Sequence, residues 1–448
     1  MRMQWRVALL VLSACTAAWS QESKFHAELR GEETRVSESC SSFSFNCPYA
    51  LFTDHPLHIA AGSMPPQNGF GLGGAFVWSK NTRNWRMSWD FDAVGATSGA
   101  WRAGGYMKMV HTPAKEKLRA THPYTVFDLY AQSISLNKVN FFGLGNNSTL
   151  AGKSLFGMSQ TIVGVSAIKP VFELKAIHWL NLALLGELNG RFINIRGEHG
   201  QSAPSIETMY TDATAPGLNS QPGFAQLGEG LRIKPAIGNL QLNYMGKFQQ
   251  FFAPSSSHDS FLRWTVDLDH TYSLYGTSQL APSGELGPDS CAHGDDPCPE
   301  IPHTRNLNGS IGVRLLLSES ITSGSSIVPF YLQQTLGGQD INSQLALGSY
   351  QDYRFRAPNL LLLQESFEHS IWGPFGLKFM ADQGRVALTR GDLGFSHLRH
   401  SFAAGLTLRA GAFPMVSMMF AWGGPEGNHN IFNLNTSLLG GSARPSLD

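Results

Sequence analysis

Alternation with a period of two is the feature that most constrains this chain. Trp85, Met87, Trp89, Phe91 and Ala93 alternate with Arg86, Ser88, Asp90 and Asp92. Leu262, Trp264, Val266 and Leu268 oppose Arg263, Thr265, Asp267 and Asp269. The same pattern runs through 101–109, 182–192, 402–409, 416–422 and 432–438. Successive side chains of a strand point to opposite faces, so each segment reads as a strand with one apolar and one polar face.

Alternation alone does not say which face is inside. A soluble sandwich buries the apolar face, whereas a membrane barrel turns it to lipid around a hydrated lumen. Here single strands carry several charges on the polar face, which a wet lumen tolerates. The segments run about 10 residues, the length that crosses a bilayer at a tilt, and Trp and Tyr gather toward their ends. Charged residues make up only 15% of the 448 residues, against about 25% in an average soluble domain. No run of about 18 apolar residues suggests a transmembrane helix. The formal net charge of zero gives no basic footprint, so nucleic acid is not an expected partner.

The alternating segments begin near residues 69, 83, 98, 123, 156, 178, 224, 238, 261, 305, 327, 358, 375, 399, 414 and 430. They predict an all-β fold, a transmembrane antiparallel β-barrel of 16 strands, an even number that lets a bacterial barrel close. His58 to Gly62 stays open as another strand or an entry segment. The count puts the long 195–222 stretch at the periplasmic end, where short turns belong, which signals a strand missed or added in the middle third.

Arg2 and Arg6 precede a short apolar core at 7–18, and Ala18-Trp19-Ser20 places small residues where a signal peptidase needs them. Cleavage before Gln21 is expected. A rival is Leu12-Ser13-Ala14-Cys15, which resembles a lipobox and would make Cys15 a lipidated terminus. The expected division is a signal peptide at 1–20, a short N-terminal periplasmic segment at 21–68, the barrel at 69–438 and a C-terminal tail at 439–448. Cys40, Cys47, Cys291 and Cys298 permit three pairings. The local pairs Cys40–Cys47 and Cys291–Cys298 are the natural choice for disulfides in an oxidising periplasm. Their spacing is not that of a structural zinc site, and His293 to Asp296 reads as a solvated loop, so no metal and no cofactor are expected. No nucleophile elbow, helical His pair or phosphate loop suggests an enzyme.

The last quarter holds Leu336-Gly337-Gly338, then Asp352-Tyr353-Arg354-Phe355-Arg356, then Met380-Ala381-Asp382-Gln383-Gly384-Arg385-Val386. Earlier comes Phe141-Phe142-Gly143-Leu144-Gly145-Asn146-Asn147-Ser148. In this order, over most of 56–438, they resemble the BamA/TamA-type outer-membrane assembly superfamily, or bacterial surface antigen family. The resemblance implies a sixth extracellular loop folded back into the barrel, its tip arginine meeting acids on the inner wall. A guanidinium offers a carboxylate a bidentate fork. The implied lumen and loop contacts are Asp382, Arg354, Arg356, Tyr350 and Glu368.

The chain departs from that pattern in three places. The loop-tip motif aligns with Leu347-Gly348-Ser349-Tyr350, so Gly348 stands where the family has arginine. The family's Glu-Tyr-Arg strand motif aligns with Ser366-Phe367-Glu368, with Glu365 as the acid under a one-residue shift. Arg354 or Arg356 could replace the tip arginine from the same loop, or both could simply bind loop carbonyls. Finally, segment 21–68 is too short for POTRA domains, so a member without them is expected.

By this resemblance the protein sits in the bacterial outer membrane and assists insertion or translocation of proteins or lipids. Its implied partners are outer-membrane lipid, and unfolded outer-membrane clients or a periplasmic accessory protein. The alternative is a passive pore or a structural surface barrel. Mixed charges such as Arg86, Asp90, Asp92, Lys108, Glu187, Arg191, Arg263 and Asp267 argue against a strongly selective ion path. The glycine-rich segment 69–77 suits either a weak seam or relief of crowding in a curved wall.

Overall fold

The structure is a computed structural model that describes residues 34, 37, 56–112, 124–171, 180–197, 203–276, 308–372, 375–410, 413–434 and 444–447. The expected signal peptide and all four cysteines expected to pair lie outside these residues. Sixteen barrel strands form. They are β1 (Leu57–Ser63), β2 (Phe70–Asn81), β3 (Trp85–Ala96), β4 (Trp101–His111), β5 (Val126–Phe141), β6 (Ser154–Pro170), β7 (Ala183–Gly197) and β8 (Phe224–Ile233). After them come β9 (Leu240–Phe252), β10 (Phe261–Gly276), β11 (Asn308–Ile321), β12 (Asn359–Trp372), β13 (Phe375–Ala387), β14 (Arg399–Ala410), β15 (Phe413–Trp422) and β16 (His429–Leu434). Every strand pairs antiparallel with its neighbour in sequence. β1 and β16 meet at the seam, where no ladder joins them among the described residues.

The alternation decides the faces. On β7, Leu184, Leu188 and Phe192 are 47%, 54% and 57% exposed, while Glu187, Asn189 and Arg191 between them line the interior. On β10, Arg263, Thr265, Asp267 and Asp269 turn inward and Leu262 faces out. On β3, Phe91 is exposed and Asp90 and Asp92 are buried. The apolar face is thus the outer one, an apolar belt around a polar lumen, which is how a barrel sits in the outer membrane. Toward the 82–84 turn, Trp78 stacks on Trp89 at 4.4 Å and Trp85 lies 5.9 Å from Phe127, aromatics suited to the bilayer interface.

The strand inventory differs from expectation in two places that cancel in the count. Segment 57–63 is a strand, in register from Leu57 opposite Phe76 to Ser63 opposite Phe70. The segment expected at 327 is not a strand. Ile327, Val328, Phe330, Tyr331 and Leu332 run apolar without alternation, and Phe330–Leu332 forms a buried 3-10 turn within the 322–358 connection. One strand gained and one lost reverse the direction of every strand between them. The 198–223 connection then shares an end with 322–358, opposite the short turn at 82–84, which removes the conflict over its side.

The disulfide expectation is corrected. No disulfide occurs among the described residues, and Cys40, Cys47, Cys291 and Cys298 lie outside them; the described strands are held by their ladders. In the glycine-rich segment, a Cβ at Gly73 would sit 1.8 Å from the Ala93 carbonyl oxygen of β3. Close approach of β2 and β3 therefore requires glycine there, which is the crowding explanation.

Candidate functional site

The 322–358 connection enters the lumen and is anchored in two layers. At its base, a short ladder pairs Gln334–Leu336 with Phe355–Ala357. Gly337 and Gly338 then turn with φ of 103° and 62°. Cβ atoms at these positions would stand 2.5 Å from Arg354 Cβ and from Asp352 Oδ1, so both the turn and the close approach need glycine. The loop descends to a tip at Leu347, itself left-handed at φ 53°. Leu336, Leu347, Tyr350 and Phe355 bury against Leu360 and Leu362 of β12 and Val386 of β13.

At the tip, alternate loop residues meet consecutive strands of the wall. Gln364 of β12, Asp382 of β13 and Ser401 of β14 are cross-strand partners and form one row. Gln364 Nε2 donates to the Leu345 carbonyl at 3.0 Å. The Leu347 N–H donates to Asp382 Oδ2 at 2.8 Å, and the Ser349 N–H donates to Ser401 Oγ at 2.9 Å. Gln364 also donates to Asp382 Oδ1 at 3.2 Å. Main-chain amides thus do what the resemblance assigns to a tip arginine. At Gly348 a Cβ would lie 3.0 Å from Ala421 Cβ and from Ile431 Cδ1, so the backbone lies against the wall where a larger side chain has no room.

The two arginines work at the loop base instead. Arg354 pairs with Glu426 of the 423–428 connection, both side chains being nearly inaccessible. Its guanidinium also donates to Ser148 Oγ and to the Ser148 carbonyl at 2.7 and 2.8 Å. It lies over the Phe142 and Phe355 rings at 4.9 and 4.7 Å. Arg356 donates to the Phe330 carbonyl at 2.8 Å, and its own carbonyl accepts from the Gly145 N–H at 2.7 Å. Burial lowers the Arg356 pKa to about 10. Burial also pushes the Asp352 carboxyl up, against the opposing pull of the Gln339 N–H that it accepts at 2.9 Å. The 141–148 and 352–356 motifs, distant in sequence, therefore form one contact.

Of the residues expected at lumen and loop contacts, Asp382 meets the loop tip, and Arg354, Arg356 and Tyr350 lie buried in the loop. Tyr350 packs edge-on against Phe355 at 5.2 Å. Glu368 stands apart, paired with Lys378 of β13 at 3.1 Å. Glu365 is exposed on the outer face, and the inward place beside Asp382 belongs to Gln364. Sequence reasoning missed Glu426, Ser401 and Gln364, and quoted Ser148 within a motif without assigning it a contact. Gln364 carried a signal of its own: it ends the run Leu360–Leu363, and such runs mark a strand covered on both faces.

Around and below the tip lies a cavity of about 1130 Å³. Several of its charges are paired: Arg314 grips Asp267 through two 2.9 Å bonds, Lys247 meets Glu187 at 2.7 Å, and Arg102 meets Asp92 at 3.3 Å. Glu187 also accepts from Gln226 and Gln249 at 2.7 and 2.8 Å. Among the described residues, no group of three or more His, Cys, Asp or Glu is placed to hold a metal ion.

No family model and no curated protein matches the chain. Among solved structures it is similar to CdiB from Acinetobacter baumannii, at 10% identity over 85% of this chain and 60% of that one, with a TM-score of 0.49. CdiB from Escherichia coli is similar at 12% identity over 85% and 62%, TM-score 0.49. BamA from Haemophilus ducreyi lacking POTRA domains 1-3 is similar at 11% identity over 84% and 68%, TM-score 0.45. The chain spans about three fifths of the two CdiB chains. The barrel assignment rests on the strand ladders, and nothing about activity follows from these likenesses.

Proposed function

We propose that this barrel belongs to the BamA/TamA-type superfamily and assists insertion or translocation of proteins or lipids at the outer membrane. The observation that carries the reading is the loop tip bound rung by rung to Gln364, Asp382 and Ser401. Outer-membrane barrels are either water-filled channels or plugged by a loop or helix, and this fastening suits the plugged kind. The short strands β1 and β16, without a ladder between them among the described residues, agree with a seam that opens sideways. Outer-membrane lipid, unfolded barrel clients and a periplasmic accessory protein are the partners this reading entails. It also keeps the signal peptide (1–20) and the tail (439–448), with the periplasmic segment ending before the barrel's first strand at Leu57 rather than at residue 68.

The test is client folding in proteoliposomes. An unfolded outer-membrane protein, diluted into vesicles holding this barrel, should reach its heat-modifiable form faster than in empty vesicles. Equal rates would reject the reading. The cavity of about 1130 Å³ favours a second reading, a passive pore, in which a steady open conductance survives deletion of residues 339–346.

A further inference from the structure

Residues 444–447 lie inside the barrel and line the same cavity as Arg102, Tyr130 and Arg191. Arg444 pairs with Asp92, whose side chain is 1% exposed, and its guanidinium lies 5.9 Å from the Tyr106 ring centre. The Tyr106 hydroxyl donates to Gln132 Oε1 at 2.8 Å, which holds the ring in place. Pro445 has no N–H to satisfy. The Ser446 carbonyl accepts from Arg191 Nη2 at 3.0 Å. The Leu447 N–H donates to Asn342 Oδ1 at 2.9 Å, and the Leu447 side chain is buried. Three of the four residues are thus held: Arg444 in a guanidinium slot, Ser446 by a donor to its carbonyl, and Leu447 by an acceptor for its N–H and an apolar seat. This pairing of main-chain contacts with side-chain pockets is how extended peptides are recognised.

Geometry supplies the second observation. β16 ends at Leu434 opposite Val416, near the start of β15, whereas the 322–358 loop enters from the other end. The two come together at the bond between Leu447 and Asn342. From these contacts we infer that Asp92, Tyr106, Arg191 and Asn342 form a lumenal binding site for an extended, arginine-bearing peptide, and that residues 444–447 occupy it in cis. The resting lumen is therefore occupied both by the loop and by the protein's own peptide, which meet at the Leu447–Asn342 bond. The loop is held by main-chain contacts to the wall, the peptide chiefly by one buried ion pair.

The test uses the full chain and a variant ending at residue 443, both purified as heat-modifiable barrels, with a fluorescent octapeptide of sequence 441–448. The shortened barrel should bind the peptide saturably, and the full chain about tenfold or more weakly because its site is filled. Arg444→Ala in the peptide, or Asp92→Asn in the shortened barrel, should each weaken binding by about tenfold or more, as expected for a charge-assisted bond. Equal binding by both barrels, or by both peptides, overturns the inference. A second measurement covers failure of the shortened barrel to fold. In the full chain, Asp92→Asn should speed carboxypeptidase trimming of residues 444–448 by about tenfold; an unchanged rate overturns it.

Discussion

Replacing Asp382 by alanine removes the acceptor of the Leu347 N–H at 2.8 Å and one of two partners of the Gln364 amide. The site is buried, Asp382 being 3% exposed. A hydrogen bond to a charged acceptor contributes about 1.5–3 kcal/mol, and a stranded buried donor places the loss toward the top of that range. Gln364 keeps the Leu345 carbonyl, so its share is about 0.5–1 kcal/mol. Loop docking should therefore weaken by about 2–4 kcal/mol, a change of roughly 30- to 700-fold in the docked-to-undocked ratio. Asp382→Asn retains an acceptor and should cost about 1 kcal/mol. Limited proteolysis between residues 339 and 346 reads this ratio when opening is fast relative to cleavage, with heat-modifiable migration confirming an intact barrel. Cleavage rates should rank alanine above asparagine above wild type. Three equal rates on folded barrels would refute the reasoning, because the loop would then be held without its central rung.

Glu426→Gln leaves the Arg354 guanidinium buried without its acid and should cost about 3 kcal/mol in a urea titration followed by tryptophan fluorescence. Arg354→Lys keeps the charge but loses the paired contacts to Ser148, so a midpoint equal to wild type would contradict the fork geometry. Gly348→Arg installs the residue the resemblance expects, yet it should expose the loop to protease, since Ala421 and Ile431 already stand 3.0 Å from where its Cβ must go; a better protected loop would sink this account. Burial holds the Asp352 carboxyl above the usual range, so the folded loop favours its protonated form. Docking of wild type relative to Asp352→Asn should then weaken as pH rises from the ordinary carboxylate value of about 4 upward, and a difference that grows with pH in wild type's favour would be inconsistent with that sign.

Barrel class was legible because alternation is local: Leu184 and Glu187 carry opposite polarity in the sequence and end on opposite faces of β7. Direction was not legible in the middle third. The apolar run at 327–332 mimics a buried strand, and only packing against Phe141 and Phe156 makes it a turn, with ring centres at 5.3 and 5.2 Å. The candidate site was half legible. Asp382 and the glycine turn stand in the sequence, but the donors to the wall are main-chain amides of Leu347 and Ser349, which no residue type announces. Glu426 lies in an ordinary Gly-Gly-Pro-Glu-Gly turn, and its role arises only because β15 and β16 bring it over Arg354.

The base clamp has a consequence for how the molecule becomes native. Arg354 joins Glu426 across 72 positions and Ser148 across 206, and Arg444 joins Asp92 across 352. Contacts so distant in sequence form slowly, because the closure entropy comes before any stabilisation. The hairpin of β15 and β16 must exist before the loop can be clamped, yet by then most of the wall already surrounds the loop. The wall is therefore assembled around a chain segment that is enclosed before it is fastened. A barrel with its clamp open would keep its ladders and expose its interior to protease.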